Sequence, residues 1–287
     1  MEAKHVLGSQ NMIGEGPVWN EEEGALYWVD IGKATINRFW PQSGDSETFQ
    51  LDAPVGVFAF RERGGLITAG SAGFGLWNPG DETLEPITDP ERDNPDSRFN
   101  DGKVDRGGRF WAGTMTMQGA VSALYRMDPD LSVHKMESGL TISNGIGWSP
   151  DDRTMYFVDS MRYVIYAYDF DLEAGEMANR RSFVTVDESY GIPDGLTVDV
   201  EGYVWCAFYG TSRVTRFDPQ GGIDAEVTLP VSQPTSCIFG GPDYTDLYVT
   251  SAWNGLPEEQ REAEPMAGDL FVIKTDVPGR PEPAFAG

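Results

Sequence analysis

The sequence predicts an all-β fold, a six-bladed β-propeller with four-stranded antiparallel blades around a central channel. The first observation behind this prediction is an alternating apolar phrase that recurs along the chain, as half-buried strands require. Its copies are LYWVD at 26–30, LITAG at 66–70, FWAGT at 110–114, MYFVD at 155–159, VWCAF at 204–208 and LYVTS at 247–251. The second observation is the period, because aligned copies lie 39, 44, 46, 48 and 44 residues apart. Repeats of this length are typical of propeller blades.

Each copy lies inside a longer unit that predicts the rest of its blade. Ahead of it come a glycine-rich strand, such as EGPVW or DGLTVD, and a hairpin turn, such as NEEEG or SPDDR. Behind it comes a third strand that often ends in an Asp-Pro or Asn-Pro turn, as in ALYRMDP and GLWNPG. The first strand of each blade lines the channel, where glycine permits close approach of backbones. We expect the N-terminal strand around His5–Leu7 to close the ring by pairing within the last blade.

The repeat predicts a single domain over residues 1–287, because no linker or shift of composition interrupts it. The first ten residues lack a hydrophobic core and no apolar stretch approaches 18 residues, so we expect no secretory signal, no membrane span and a cytoplasmic location. The 21 Lys and Arg against 46 Asp and Glu give a net charge of −25, which repels nucleic acid and anionic lipid. An acidic closed ring favours a monomer.

The side-chain inventory excludes several chemistries. His5 and His134 are the only histidines, and neither is in phase with the strand openings, so we expect no Ser-His-Asp triad and no histidine zinc site. Cys206 and Cys237 lie in predicted inner strands, which indicates buried reduced thiols. The run PEEQREAEP at 257–265 predicts a helical turn with a solvated charged face.

The residues that open the first strands form a candidate site. They lie 10 to 12 positions ahead of the aligned strand residues and are Glu15, Val55, Asn100, Asn144, Asp194 and Ser236. Equal places in a rotational repeat project to one end of the axis, so the four carboxylate and amide side chains of this set should meet at one mouth of the channel. A single Asn-Gly or Asp-Gly pair would be typical of a turn. Four hard oxygen donors in one phase instead indicate Ca²⁺, Mg²⁺ or Mn²⁺ rather than structural zinc.

Several motifs together resemble the senescence marker protein, gluconolactonase and luciferin-regenerating enzyme family. They are GEGPVWN with ALYWVDI, RFNDGKVDRGGRFWAGTM, SNGIGWSPDDRTMYFVDS, IPDGLTVDVEGYVWCAFYG and TSCIFGG, and the resemblance runs from Gly14 to the final PAFAG. It implies a six-bladed propeller with one divalent cation at the channel mouth and hydrolysis of sugar lactones. Ca²⁺ is the first expectation, with Mg²⁺, Mn²⁺, Zn²⁺ and Fe²⁺ as alternatives. The expected partner is a small sugar lactone.

The resemblance also implies roles for individual residues. By motif, Glu15, Asn144 and Asp194 resemble the family's three protein ligands of the metal. The cation would polarise the lactone carbonyl as a Lewis acid. Since no histidine is nearby, either Asp194 or a metal-bound hydroxide would activate the attacking water. Both assignments of the base stay open at the level of sequence.

A further set of residues resembles the family's substrate contacts. Arg98 and Asn100 of RFNDGK match residues that contact substrate, and Asn100 could also reach the metal directly or through water. Asp101 either binds substrate hydroxyls or serves as the turn residue before a glycine. In GTMTMQGAVSALYR, Gln118 stands where many relatives carry an acidic residue. This departure leaves the identity of the substrate open.

Two other classes of function stay open. One is a calcium-binding regulatory protein without significant turnover, against which the substrate-facing residues Arg98, Asn100 and Asp101 argue. The other is a phosphotriesterase or aryl esterase that uses a similar oxygen-ligated cation. An aromatic channel mouth would favour aryl esters, and a mouth lined by polar residues would favour sugars.

Overall fold

Strands form at every copy of the repeated phrase, because its β-branched and aromatic side chains pack well on a pleated sheet. The computed structural model describes residues 1–287 and contains 24 strands in six four-stranded antiparallel sheets. These sheets are the blades of a six-bladed propeller, which confirms the predicted fold class.

The labels β1 to β24 follow the order of the chain, and the four strands of each blade are counted outward from the channel. The innermost strands are β2 (Gly14–Asn20), β6 (Val55–Phe60), β10 (Arg98–Val104), β14 (Ser143–Trp148), β18 (Ile192–Val198) and β22 (Pro234–Gly240). The second strands are β3 (Ala25–Asp30), β7 (Leu66–Gly70), β11 (Phe110–Met115), β15 (Thr154–Asp159), β19 (Val204–Tyr209) and β23 (Asp246–Ser251). The third strands are β4 (Thr35–Trp40), β8 (Gly73–Trp77), β12 (Ser122–Met127), β16 (Val164–Asp171), β20 (Arg213–Phe217) and β24 (Leu270–Lys274). The outer strands are β5 (Asp45–Gln50), β9 (Glu85–Thr88), β13 (Val133–Leu140), β17 (Glu176–Thr185), β21 (Ile223–Thr228) and, in the sixth blade, β1 (Ala3–Leu7).

The N-terminal strand closes the ring as the sequence predicts. Strand β1 pairs antiparallel with β24, so the sixth blade is built from both ends of the chain. His5 lies opposite Phe271, and its Nε2 is 2.9 Å from Oδ2 of Asp269. The other carboxylate oxygen of Asp269 accepts the backbone N–H of Gln10 at 2.9 Å. One buried acid therefore fixes the end of β1 against the last blade.

The core lies between neighbouring blades and is rich in buried aromatic side chains. Trp111 and Trp205 each expose 1% or less, and their indole N–H groups donate to Asp105 at 2.8 Å and to Asp199 at 3.0 Å. The same pairing thus recurs in the third and fifth blades and satisfies a polar group that burial would otherwise leave without a partner.

The remaining elements agree with the sequence. The only α-helix, α1 (Glu258–Ala263), lies within the run predicted to make a helical turn, and none of its residues is buried. Short 3₁₀ turns cover Ser160–Arg162 and Glu188–Tyr190. Both cysteines are buried and unpaired, which confirms the prediction of free thiols. No helix has the length and apolar character needed to cross a lipid bilayer.

A C-terminal tail, residues 278–287, crosses the end of the channel opposite to the strand openings. Its backbone bonds to the fifth blade, where Val200 donates to the Pro278 carbonyl at 3.0 Å, and to the second blade, where Phe285 donates to the Phe60 carbonyl at 2.8 Å. Phe285 is fully buried among the second and third blades. The tail therefore covers this far mouth of the channel. The mouth at the other end is the one where the innermost strands begin.

Candidate metal centre at the channel mouth

All six innermost strands are irregular close to the residue that opens them. Pairing with the second strand slips between Glu15 and Val18 and between Pro193 and Leu196, and the other four blades show a slip at the same place. A β-bulge breaks the strict alternation of side chains, re-aims the extra residue, and is frequent beside functional sites. Every blade therefore has a bulge that redirects a side chain at the same mouth of the channel.

Glycines that follow the openers bring neighbouring strands together. A Cβ atom on Gly145 would lie 2.5 Å from the Leu196 nitrogen and 2.6 Å from the Asp194 carbonyl oxygen. A Cβ atom on Gly56 would lie 2.5 Å from the Phe99 carbonyl oxygen. Only glycine permits backbones this close. The openers of adjacent blades are consequently held side by side around the axis.

The carboxylate and amide side chains at this mouth, here called the ring, are those of Glu15, Asn100, Asn144 and Asp194. Its two asparagines are oriented by a chain of hydrogen bonds. Nδ2 of Asn100 donates to Oδ1 of Asn144 at 3.1 Å and to the Ser143 carbonyl at 2.9 Å. Nδ2 of Asn144 donates to Oγ of Ser160 at 2.9 Å, and Ser160 donates in turn to the Pro193 carbonyl at 2.7 Å. The amide nitrogens thus fix the orientation of the two side chains through hydrogen bonds to neighbouring groups. Each amide oxygen keeps a second lone pair that a ligand can use.

Two buried carboxylates complete the ring. Glu15 and Asp194 expose 6% and 7% of their surface. The only protein donor to the Glu15 carboxylate is the Gly16 N–H, at 3.1 Å, and Oδ1 of Asp194 is buried without a hydrogen-bond partner. A buried carboxylate oxygen without a donor is costly and calls for an explanation. A bound cation is the explanation that a ring of hard oxygens favours.

Electrostatics point in the same direction. Burial, followed by the nearby charge of Asp101, raises the pKa of Glu15 to about 8. Burial, and then the charges of Glu15 and Asp101, raise the pKa of Asp194 well above its ordinary value. Burial also raises the pKa of Asp101 to about 6. Three carboxyl groups therefore repel one another in a water-poor site, and a divalent cation would relieve that repulsion.

The composition of the ring limits which cation fits. No three Asp, Glu, His or Cys side chains of the chain lie close enough to form a metal cluster by themselves. A cation would therefore need amide oxygens from the ring and water to complete its coordination. Such a mixed oxygen set fits Ca²⁺, Mg²⁺ or Mn²⁺ and gives no soft donor for structural zinc.

Arg98 brings a guanidinium group to the edge of the ring. Its Nη1 donates to the Asn100 side-chain oxygen and to the Phe99 carbonyl, both at 2.9 Å. The guanidinium forms no ion pair, and its Nε and Nη2 donate to no protein group. Burial lowers the pKa of Arg98, and the charge of Glu15 opposes that shift. A half-buried arginine with unused donors is suited to an electron-rich ligand.

The other two predicted substrate residues lie in different surroundings. Asp101 is buried beside the ring, and its Oδ1 accepts the N–H of Gly102 at 2.7 Å, as a turn residue would. Gln118 is exposed in the loop after β11, where its Nε2 donates to Asp96, and it contacts none of the ring residues. The structure thus brings Glu15, Arg98, Asn100, Asp101, Asn144 and Asp194 together and leaves Gln118 outside this group.

Two residues of the mouth escape the sequence analysis, namely Ser160 and Tyr209. Ser160 immediately follows β15 and orients Asn144. Tyr209 ends β19, and burial together with the charge of Asp194 raises its pKa to about 12. Second strands run antiparallel to the innermost ones, so their C-terminal ends return to the mouth where the openers lie. A polar residue at the C-terminal end of a second strand was therefore the sequence feature that could have identified Ser160 and Tyr209 as residues of the mouth.

The chain belongs to the family whose model is described as SMP-30/Gluconolactonase/LRE-like region, which matches residues 13–253. Regucalcin of Xenopus laevis is 40% identical over 294 aligned positions, which cover 98% of this chain and 97% of that protein. The Bacillus subtilis (strain 168) protein named "Putative sugar lactone lactonase YvrE" is 36% identical and covers 100% of this chain and 99% of its own length. Among solved structures, the calcium-binding protein regucalcin from Agrobacterium tumefaciens superimposes with a TM-score of 0.94 at 28% identity, covering 99% of this chain and 97% of that one. The family that the motifs suggested is thereby confirmed.

Proposed function

We propose that this protein is a divalent-cation-dependent hydrolase that opens sugar lactones to sugar acids at the channel mouth. Membership of the gluconolactonase-like family and similarity to a protein named as a sugar lactone lactonase support hydrolysis of this substrate class. The observation that carries the proposal is the unpartnered, buried Oδ1 of Asp194 in a ring of oxygen donors beside an unpaired guanidinium.

Glu15, Asn144 and Asp194 would hold the cation, with Ca²⁺ as the first expectation, and Asn100 would contribute directly or through water. When bound, the cation supplies a Lewis acid that stabilises negative charge developing on the lactone carbonyl oxygen. Glu15 stays an anchoring carboxylate. Asn144 is a neutral donor that Ser160 holds in orientation.

Asp194 is the proposed general base. Its buried carboxylate takes a proton from the water that adds to the carbonyl carbon, and it returns that proton to the ring oxygen when the C–O bond breaks. Water and lactone are thus consumed and one hydroxy acid is formed. Burial raises the pKa of Asp194 when no cation is bound, and a bound cation would lower it, which would keep the carboxylate ionised and able to accept a proton.

Arg98 and Asn100 would orient the substrate. The unused guanidinium donors of Arg98 can bind hydroxyl oxygens of the lactone and the carboxylate of the product. The polar neighbours Arg98, Asn100 and Ser160 favour a hydroxyl-bearing substrate over an aryl ester. Asp101 can accept a hydrogen bond from a substrate hydroxyl through Oδ2, because the Gly102 N–H donates to Oδ1. Gln118 stays a predicted substrate residue on the strength of its motif alone, because its side chain lies outside this group.

A calcium-binding regulatory role is the second candidate, because relatives are named regucalcin and one solved relative is described as calcium-binding. It would use the same ring without turnover. The free donors of Arg98 favour the enzyme, since an arginine next to a cation opposes metal binding unless a ligand lies between them.

The cellular setting is part of the proposal. A net charge of −25 disfavours nucleic acid and anionic membranes as partners, and it favours a monomer. Two free buried thiols without a disulfide fit a reducing compartment such as the cytoplasm.

Asp194→Asn tests the assigned role. Removal of a general base or a catalytic ligand lowers turnover by about a hundredfold or more, and the variant should also bind Ca²⁺ more weakly in calorimetry. Asp243→Asn is the matched control, because Asp243 is exposed and makes no side-chain hydrogen bond or ion pair. Near-normal turnover of a folded Asp194→Asn protein would remove Asp194 from the mechanism.

A further inference from the structure

A cleft lies at the end of the channel that the C-terminal tail covers. It forms where the last residues of β10, β14 and β18, namely Val104, Trp148 and Val198, meet the tail. The cleft contains about 360 Å³ of empty space, part of it open to solvent. No residue of the ring lines it. It is therefore separate from the candidate metal centre at the other mouth.

Basic side chains collect in this cleft although the chain as a whole is strongly acidic. Three cations line it, those of Lys103, Arg106 and Arg280, against the two carboxylates of Asp152 and Glu282. In the whole chain 46 Asp and Glu stand against 21 Lys and Arg. A cleft with the opposite balance of charge is suited to an anion.

The two carboxylates are partners of two of the three cations. Nζ of Lys103 lies 3.1 Å from Oε1 of Glu282. Nη1 and Nη2 of Arg280 each lie 3.4 Å from an oxygen of Asp152, which is long for a charge-assisted hydrogen bond. Lys103 is therefore closely paired, whereas Arg280 is held loosely enough to share its donors with a ligand.

Arg106 is the cation of the cleft that has no carboxylate partner. Its only side-chain hydrogen bond runs from Nη2 to the Pro281 carbonyl at 2.7 Å, which brings the guanidinium next to Arg280 in the tail. Burial, followed by the charge of Arg280, lowers the pKa of Arg106, and Glu282 and Asp152 oppose that shift without cancelling it. Two guanidinium groups thus repel each other here. Arg106 is exposed, so a ligand from solvent can reach its unused Nε and Nη1 donors.

A buried donor beside the cleft also lacks a partner. Trp148 exposes 8% of its surface, and its indole Nε1 is buried without a hydrogen-bond acceptor. The indole groups of Trp111 and Trp205, by contrast, have carboxylate acceptors. A buried donor without an acceptor calls for an explanation. An oxygen of a ligand bound in the cleft would supply that acceptor.

We propose that this cleft, here called the anion cleft, binds a small oxyanion, namely the phosphate or carboxylate group of a small molecule. Arg106 and Arg280 hold it, because a guanidinium donates two parallel N–H bonds to phosphate or carboxylate oxygens. The negative charge of the ligand removes the repulsion between the two guanidinium groups. This site is independent of the function proposed for the channel mouth.

The experiment is isothermal titration of the full chain with inorganic phosphate and, separately, with acetate. The protein is first freed of metal ions on a chelating resin, so that an anion bound to a cation in the ring does not contribute. The wild type should bind at least one of the two anions, and the comparison shows which group the anion cleft prefers. Arg106→Gln should weaken that binding by about tenfold to a hundredfold, the scale of a lost hydrogen bond to a charged group. Arg280→Gln should weaken it in the same direction.

Two control variants locate the binding. Arg63→Gln is the matched control, because Arg63 lies in the corresponding turn of the second blade, is exposed, and makes no ion pair or side-chain hydrogen bond. Arg98→Ala removes the unpaired guanidinium at the channel mouth. Both variants should bind the anion as the wild type does.

Failure of the wild type to bind either anion would overturn the proposal and leave the cation site unaffected. Binding that Arg106→Gln and Arg280→Gln leave unchanged, or that Arg98→Ala weakens equally, would place the anion outside the cleft. If one of the two cleft variants does not fold, the other decides, since unchanged affinity in a folded variant contradicts the proposal. An Arg106 that only fastens the tail through the Pro281 carbonyl would alter the melting temperature and leave anion affinity unchanged.

Discussion

Glu15→Gln should stabilise the cation-free protein at alkaline pH and weaken its binding of cations. Glu15 is buried, and burial with the charge of Asp101 raises its pKa from the ordinary 4.5 to about 8. Between these two values the folded state binds more protons than the unfolded state. The free energy of unfolding therefore falls as the pH rises through that window and levels off above it. Glutamine has nearly the same shape without the charge, so the variant escapes this loss.

The size of the effect follows from the width of the window. At about 1.4 kcal/mol per pH unit, ionising Glu15 costs the folded state on the order of 5 kcal/mol above pH 8. For a chain of this size, 1 kcal/mol corresponds to roughly 2 °C in melting temperature. The cation-free variant should thus melt about 10 °C above the wild type at pH 8.5 and close to it near pH 4.5. Saturating Ca²⁺ should reverse the order, because the wild type alone keeps the anchoring carboxylate.

The assay is thermal unfolding across this pH range with chelator and with Ca²⁺, at constant ionic strength so that screening of the acidic surface does not vary. Glu22→Gln is the matched control, since Glu22 lies exposed in the turn after β2 and makes no ion pair. Its melting curve should follow the wild type at every pH. Coincident curves for Glu15→Gln and the wild type at pH 8.5 would show that Glu15 is not a strained carboxylate of the ring.

Three further changes probe other parts of the molecule. Arg98→Ala should lower kcat/KM for sugar lactones by about tenfold to a hundredfold, the scale of a lost charge-assisted hydrogen bond, with unchanged or slightly tighter cation binding and little effect on a small aliphatic lactone. Equal losses on all substrates with lowered stability would make Arg98 a support for its loop. Cys206→Ser and Cys237→Ser should affect stability only, because burial raises the pKa of both thiols, that of Cys237 to about 12. Rapid inactivation of the native protein by a thiol reagent would contradict this. Deleting residues 1–10 should lower the melting temperature by many degrees because β1 forms the outer strand of the sixth blade, whereas an unchanged melting curve would refute its role in closure.

The fold was predictable because a propeller repeats one strand pattern, and the period alone identifies it. The convergence of Glu15, Asn100, Asn144 and Asp194 was predictable for the same reason, since equal phases meet at one mouth. Side-chain orientation was not, because the amide of Asn144 is set by Ser160, a residue of the 3₁₀ turn that follows β15. Contacts made by segments outside the repeat, such as the C-terminal tail, could not be predicted from the periodic pattern either.

The C-terminal tail illustrates that limit. Glu282 meets Lys103 across 179 positions of sequence, and no periodic pattern indicates which residues a non-repeating segment will contact. Gln118 illustrates a second limit, because a residue in a loop has no fixed position in the repeat from which its distance to the channel axis could be predicted. Its motif predicted a substrate contact, and in the structure Gln118 lies at the surface and bonds to Asp96.

The central claim is that the ring opens sugar lactones with the help of a bound divalent cation. It is tested most directly by following acid release in a pH-stat from 1,4- and 1,5-aldonolactones and one aryl ester, with protein that is first stripped by chelator and then reloaded with Ca²⁺. The predicted result is turnover of sugar lactones that disappears on stripping, returns on reloading and exceeds turnover of the aryl ester. Absence of lactone hydrolysis by the reloaded protein, or hydrolysis that stripping leaves unchanged, would contradict the claim.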